Sequence, residues 1–173
     1  MEKVTLAGGC FWCTGAVFKR LRGVISVIPG YSGGTKTSPT YEEVSNGMTV
    51  HAESIQITFD PKIINFEKLL EVFWKLHDPT TLNCQGTDIG TQYRSAIFYE
   101  TEKQREIAEK SKKEAQKDFA DPIVTEITLF TAFYPAEAYH ENYYSRNRES
   151  LYCRIVIDPK LQKLMKEFKK EVK

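Results

Sequence analysis

The sequence predicts an α+β fold, a mixed sheet with helices packed on it. Apolar and polar residues alternate over short segments such as Glu53–Phe59, which is the period of a half-buried strand. In Phe66–Trp74 apolar residues recur every three or four positions, which is the period of an amphipathic helix. These segments follow one another as strand, helix, strand, strand, helix, strand. That order predicts a ferredoxin-like split βαβ core.

The first half of the chain is predicted to supply most of the core strands. Val4–Leu6 is a strand that ends at a diglycine turn, and Phe11–Leu21 has helical spacing. Val24–Ile28 is a second strand. Pro29–Gly34 must then form a loop, because four of its six residues are Gly or Pro. Glu53–Phe59 is the third strand, and its alternation leaves one face for the core.

The second half begins with the helix at Phe66–Trp74, which stops before His77–Pro79 and is followed by a polar loop. The remaining predicted elements are a strand at Ser95–Tyr99, a charged helix at Glu102–Lys117, a long strand at Ile123–Phe133 and an extended C-terminal segment, Pro135–Lys173, made of two helical pieces around a strand at Tyr152–Ile157. No internal repeat or linker interrupts these elements.

Length and charge exclude several classes of protein. A chain of 173 residues has the size of one domain, so we expect a single catalytic domain over residues 1–173. The net charge of +1 gives no general attraction to nucleic acid or to anionic lipid. No apolar stretch approaches the roughly 20 residues of a membrane span. We expect a soluble protein with no nucleic-acid or membrane partner and, lacking the regions of a signal peptide, a cytoplasmic location.

The cysteines indicate catalysis. The four are too few and too widely spaced for a disulfide-stapled secreted fold. A zinc site needs a second Cys or His pair at short spacing, and no histidine here lies four residues from another histidine or cysteine. We therefore expect no bound metal and no bound cofactor.

Cys10 is the strongest candidate for a nucleophile. It stands where the first helix is predicted to begin, facing unpaired backbone N–H groups and the positive end of the helix dipole. Both favour the thiolate, so we expect a lowered pKa. Gly8 and Gly9 allow a sharp turn and leave room for a substrate. The alternative is a buried structural cysteine, a common fate of this residue type.

The residues that follow Cys10 suggest a pocket and a second thiol. Phe11 and Trp12 are large apolar side chains at a partly open position, where they can hold a methyl group, or else anchor the helix to the core. Cys13 completes a Cys-x-x-Cys pair on one helical face, close enough for disulfide exchange.

Several longer segments match one family in the same order. They are Gly8–Trp12, Gly30–Gly34, Pro39–Tyr41, His51–Glu53, His77–Pro79, Gln85–Ile97 and Ala136–His140. From Val4 to Tyr144 the chain resembles the peptide methionine sulfoxide reductases of the A type (MsrA family). The resemblance implies an α+β fold and a thiol-dependent reduction of the S epimer of methionine sulfoxide, free or in proteins.

The resemblance also implies roles for residues that composition and spacing do not single out. Attack of a thiolate on the sulfoxide sulfur places charge on the oxygen, which then needs a proton donor. Glu53, Tyr41 and Tyr93 match the donors of the family, and Asp88 matches a residue that orients the substrate or the tyrosines. Glu53 must be protonated to donate, and a partly apolar pocket promotes this by raising its pKa.

Attack would leave Cys10 as a sulfenic acid, which a second thiol must resolve. The resemblance favours Cys153, because many members place a resolving cysteine there in a mobile tail. Cys13 is the alternative, although many members have Gly at its position. Cys84 stands where the family often has Arg and is expected to be non-catalytic. We expect thioredoxin, or dithiothreitol in vitro, to reduce the disulfide, and the enzyme to be a monomer.

Two departures from the family pattern stand out. Gly15 occupies a position where Glu is common, and Gly inside a helix costs about 1 kcal/mol relative to Ala. It would loosen the catalytic helix or let the backbone pack closely. Arg154–Lys173 is predicted to form a strand, a turn and a helix instead of a glycine-rich tail, which makes Cys153 less obviously mobile.

Two other functions remain open from the residues alone. A general dithiol–disulfide oxidoreductase would act through Cys10 and Cys13 and would not need Glu53. A non-catalytic module would bind methionine-containing peptides through Phe11 and Trp12, leaving Cys10 dispensable.

Overall fold

The computed structural model describes residues 1–173. Its strands are β1 (Glu2–Gly8), β2 (Val24–Ser32), β3 (Ala52–Phe59), β4 (Cys84–Gln85), β5 (Asp88–Ile89), β6 (Ser95–Tyr99), β7 (Glu126–Leu129) and β8 (Phe133–Pro135). Its α-helices are α1 (Phe11–Phe18), α2 (Tyr41–Ser45), α3 (Phe66–Leu76), α4 (Glu102–Gln116), α5 (Tyr143–Arg146) and α6 (Asp158–Glu167). Short 3₁₀ turns lie at Thr91–Tyr93 and Ala138–His140, and a π-helical turn at Cys153–Ile157 leads into α6. None of these helices has the length and apolar character needed to cross a membrane.

Six strands form the main sheet in the order β7-β6-β1-β3-β2-β8. The four central strands, β6-β1-β3-β2, are antiparallel to their neighbours, with α1 connecting β1 to β2 and α3 lying between β3 and β6 in the chain. This is the strand order of a split βαβ unit. β7 pairs in parallel with β6. The predicted α+β fold with a mixed sheet is confirmed.

The sheet is curled rather than flat. β7 and β8 lie at opposite edges, yet only the chain from Leu129 to Phe133 joins them. Those four steps span at most about 14 Å, whereas six flat strands would extend over about 24 Å. The two edges must therefore approach each other, and the connecting segment bonds to both sides. Phe130 N donates to Tyr99 O at 2.8 Å, and Ser32 Oγ donates to Ala132 O at 2.6 Å.

The single long strand predicted at Ile123–Phe133 is wrong. The chain pairs with β6 only over β7 and then crosses to the other edge of the sheet as β8. Apolar residues continue to alternate through the crossing. The sequence pattern therefore does not show where pairing with β6 ends and pairing with β2 begins.

The strand predicted at Tyr152–Ile157 is also wrong, because this segment is helical. Neighbouring β-branched residues, Ile155 to Ile157, gave it a strand-like composition. The buried positions in the C-terminal segment instead recur at helical spacing. They are Cys153, Ile157, Leu161, Leu164 and Phe168. This stripe packs on the core that contains α1 and α3.

Candidate active site

Cys10 lies between β1 and α1 and is the N-cap residue of α1, as predicted. The turn depends on Gly9, whose φ of +94° is strained for any residue with a side chain. A Cβ on Gly9 would also lie 2.7 Å from Cγ of Gln85. Glycine at this position therefore fixes where the Cys10 thiol sits relative to the helix.

Glu53 lies in β3 and reaches the start of α1. Its Oε1 accepts a hydrogen bond from Phe11 N at 3.1 Å, and its Oε2 is buried without a hydrogen-bond partner. Burial raises the pKa of Glu53 to about 8, against the opposing effect of the Phe11 hydrogen bond. At neutral pH the group is a carboxylic acid next to Cys10, able to give up a proton.

Cys10 is only 8% exposed, and burial raises the pKa of its thiol well above 9.0, reinforced by Cys13 and Glu53. The lowered pKa expected for Cys10 from its helix position is therefore wrong. Two physical reasons account for this: desolvation disfavours the thiolate, and Glu53 already occupies the first N–H of the helix.

The pKa of Cys13 is shifted in the opposite direction, downward. Hydrogen bonding to Cys10 lowers the pKa of Cys13 to about 7, against the effect of burial, with Lys160 and Tyr152 also favouring the thiolate. In the resting pair the proton therefore stays on Cys10, and Cys13 is the sulfur that ionises near neutral pH.

Phe11 and Trp12 have different roles. Phe11 is 1% exposed and packs in the core, whereas Trp12 is half-buried. The Trp12 ring stacks on Tyr143 with centroids 3.7 Å apart, and its Nε1 donates to Nδ1 of His140 at 2.9 Å. Because indole N–H is only a donor, neutral His140 must carry its proton on Nε2. Trp12 thus lines the site while Phe11 anchors the helix.

Tyr41 and Tyr93 belong to the same site. Tyr41 opens α2, a short helix that a capping box between Thr40 and Glu43 stabilises, and its backbone N–H donates to Glu137 at 3.0 Å. Burial, followed by the influence of Glu53, raises the pKa of Tyr41 to about 12 and also raises that of Tyr93. Both phenols therefore remain protonated donors near Glu53.

Asp88 is connected to the site by Tyr152, a residue that the sequence did not single out. The hydroxyl of Tyr152 donates to Oδ2 of Asp88 at 3.0 Å, and the same hydroxyl oxygen lies 3.3 Å from Sγ of Cys13. Tyr143 and His140 were likewise missed. The only signal for His140 was its place in a family-like segment, and nothing in the sequence pointed to Tyr152.

Cys153 and Cys84 form no hydrogen bond with Cys10 or Cys13, whereas those two bond to each other. Cys153 is fully buried in the core, in the π-helical turn, with its N–H bonded to Oγ of Ser150 at 3.2 Å. Cys84 is half-buried in β4 and donates to Gly86 O. All four cysteines are free thiols. Cys13 is thus the thiol placed next to Cys10, and Cys153 is held in packed structure instead of a mobile tail.

Gly15 lies within α1. A Cβ built at Gly15 would meet no atom within 4 Å, so close backbone packing does not require glycine here.

Comparisons with known proteins agree with this geometry. The family model of peptide methionine sulfoxide reductase matches residues 2–172. A protein of Saccharolobus solfataricus named peptide methionine sulfoxide reductase MsrA is 55% identical over 100% of this chain and 98% of its own length. The crystal structure of reduced Mxr1 from Saccharomyces cerevisiae has a TM-score of 0.82 and 34% identity, covering 88% of each chain.

A second structure from Saccharomyces cerevisiae shows Mxr1 in complex with Trx2, with a TM-score of 0.57 and 26% identity over 82% of this chain and 84% of that one. The comparisons do not favour a general dithiol oxidoreductase or a non-catalytic binding module. From the extent of the family match and the identity to its members, the chain belongs to the peptide methionine sulfoxide reductase family.

Proposed function

We propose that this protein reduces the S epimer of methionine sulfoxide, free or within proteins, through a single catalytic domain formed by residues 1–173. One observation carries the proposal: Cys10 and the acid form of Glu53 are held at the same helix N-terminus. A nucleophile and a proton donor side by side are what attack on a sulfoxide needs.

In the first step the sulfur of Cys10 attacks the sulfoxide sulfur. The Cys10 thiol becomes strongly acidic as this bond forms and releases its proton to water or to the Cys13 sulfur, which is available as a thiolate because its pKa is about 7. Glu53 gives its proton to the sulfoxide oxygen, which leaves the substrate for the Cys10 sulfur. Methionine departs, and Cys10 becomes a sulfenic acid. The substrate is reduced by two electrons and Cys10 is oxidised by two.

Other residues of the site stabilise this step. Tyr41 and Tyr93, kept protonated by their raised pKa, donate hydrogen bonds to the oxygen as charge develops on it. Trp12 provides the apolar surface for the methyl group, whereas Phe11, which the sequence suggested for the same role, packs in the core. Asp88 orients Tyr152 over the Cys13 sulfur.

A second thiol then converts the sulfenic acid to a disulfide and water. The family resemblance favours Cys153 for this role. The positions of the sulfurs support Cys13 as the first thiol to react, because Cys153 is fully buried and would need the π-helical turn to open. Cys153 remains the candidate for a later exchange.

We further propose that thioredoxin reduces the resulting disulfide, with dithiothreitol as a substitute in vitro. The support is that a structurally similar protein, Mxr1, forms a complex with Trx2. Four free cysteines suit a reducing compartment, which supports action in the cytoplasm, and we propose that the protein acts as a monomer.

Trapping the intermediate tests this proposal. A Cys13→Ser/Cys153→Ser double variant, given one equivalent of the S epimer with dimedone present, should release one equivalent of methionine and carry the dimedone adduct on Cys10. Cys84→Ser serves as the matched control and should cycle like the parent protein. An adduct on another residue, or no methionine, would refute the assignment of Cys10.

A further inference from the structure

Lys160 occupies an unfavourable position for a cation. It lies in α6, in a helical stretch that continues without a break from the π-helical turn before it. Its side chain is half-buried, and no carboxylate lies within ion-pair distance of its ammonium. A half-buried cation without an ion-pair partner gains no stabilisation from a salt bridge, so its charge is available to act on another nearby group.

A cavity links Lys160 to the catalytic helix. This cavity, of about 10 Å³, lies between α1, α3 and α6 and is lined by Cys13, Thr14, His77 and Lys160 together with apolar side chains. It has room for about one water molecule. A larger groove on the surface, of about 660 Å³, shares Leu76, His77 and Lys160 with it. Lys160 therefore stands between solvent and the buried side of Cys13.

The other groups around Cys13 do not provide positive charge. They are the thiol of Cys10, the phenol of Tyr152, the carboxylate of Asp88 and the acid of Glu53. His77, which lines the same cavity, is neutral because burial lowers its pKa to about 4. Lys160 is the only cation among these neighbours of Cys13. Its charge acts on the Cys13 sulfur more strongly across a packed, poorly solvated space than it would through water.

We propose that Lys160 is a positioning residue for the second half of the reaction, in which its ammonium favours the thiolate of Cys13 and so directs Cys13 to the sulfenic acid on Cys10. This inference rests on the proposed function, because that function supplies the sulfenic acid. Cys13 loses its proton, and its sulfur forms the S–S bond with Cys10. The S–O bond breaks, and the departing hydroxide takes up a proton and leaves as water. The Cys13 sulfur is oxidised and the Cys10 sulfur reduced, both to the disulfide level.

The first test requires no methionine sulfoxide. Thiolate absorbance at 240 nm is titrated in the reduced protein, and loss of the neutral-pH step in Cys13→Ser assigns that step to Cys13. Lys160→Met should move its midpoint upward by about half to one pH unit, the scale of one nearby charge. Lys160→Arg should restore the midpoint. Lys163→Met is the matched control, because Lys163 lines the groove but not the cavity and bonds to Lys75 O.

The second test follows methionine release and thiol loss separately after one equivalent of the S epimer is added. Lys160→Met should slow disulfide formation about three- to tenfold at pH 6.5, more than it slows methionine release, and the first disulfide should join Cys10 to Cys13. The inference is overturned if Lys160→Met titrates like the parent protein, if Lys163→Met shifts the midpoint equally, or if the first disulfide joins Cys10 to Cys153. Absence of methionine would instead refute the proposed function, while the titration would still test Lys160.

Discussion

Oε1 of Glu53 accepts a hydrogen bond from the backbone N–H of Phe11 at 3.1 Å, which ties the acid to the first residue of the helix that Cys10 caps. The bond leaves Oε2 buried and unpartnered. The backbone therefore fixes the relative positions of the Cys10 nucleophile and the Glu53 acid before substrate binds. Such preorganisation lowers the entropic cost of bringing the two groups together at the sulfoxide.

Replacing Glu53 by Gln should slow methionine formation in a single turnover by about a hundredfold or more, the usual scale for loss of a general acid. The acid form of Glu53 is present below about pH 8 and is lost above it, so the rate of the parent protein should fall at alkaline pH through loss of the donor. Glu53→Gln should lack that loss. Rapid-quench measurement from pH 6 to 9 checks both effects, and an unchanged rate in Glu53→Gln would remove Glu53 from the mechanism.

Glu53 should also make folding stability depend on pH in an unusual direction. Its pKa is about 8 in the folded state and near its ordinary value of 4.5 in the unfolded chain. Between these values the folded state binds more protons, so stability falls as pH rises and is fully retained only below about pH 4.5 with respect to this group. Urea denaturation at several pH values should show this decline in the parent protein and a smaller one in Glu53→Gln. Parallel curves for the two proteins would show that Glu53 is charged in the fold.

Single serine variants of Cys13 and Cys153 show which of the two thiols resolves the sulfenic acid. The family resemblance favours Cys153, and the hydrogen bonding in the structure favours Cys13. Cys13→Ser should stop after one turnover with sulfenic acid on Cys10, because its neighbouring thiol is lost. Cys153→Ser should still form a disulfide in the first turnover, since Cys153 is fully buried. Mass spectrometry of the quenched proteins distinguishes the two. If Cys13→Ser forms a disulfide normally and Cys153→Ser stalls, the resolving thiol is Cys153.

Gly15→Ala should stabilise the protein. The position is helical, and an added Cβ meets nothing within 4 Å, so the substitution removes the cost of glycine without a clash. The free energy of unfolding should rise by about 1 kcal/mol, as measured by urea denaturation. Gly9→Ala provides the contrast. It should destabilise the protein, because Gly9 has positive φ and its added Cβ would lie 2.7 Å from Gln85. A loss of stability in Gly15→Ala would contradict the open space seen around Gly15.

The parts of the structure that local sequence governs were predictable. The glycine turn before Cys10, the start of α1 at Phe11 and the split βαβ core follow from residue spacing and turn chemistry. The helical segment after Tyr152 was misassigned, because β-branched residues outweighed the four-residue spacing of buried ones from Cys153 onward.

Features that depend on contacts between distant segments were not predictable. The position of Tyr152 between Cys13 and Asp88 joins parts of the chain more than 60 residues apart. The pKa of Cys10 depends on burial and on Glu53, which the helix position alone does not reveal. The roles expected for Tyr41, Tyr93 and Glu53 come from the family resemblance. Without it, the sequence indicates that Glu53 is an ordinary exposed strand residue and that both tyrosines are amphipathic residues at the edge of the core.

The most direct test of the central claim is a single-turnover reaction of the reduced protein with the separated S and R epimers of N-acetyl methionine sulfoxide, with dithiothreitol left out. The account predicts loss of about one equivalent of the S epimer, with matching release of the sulfide and loss of two thiols per chain, and no loss of the R epimer. Consumption of neither epimer, or of the R epimer alone, would contradict it.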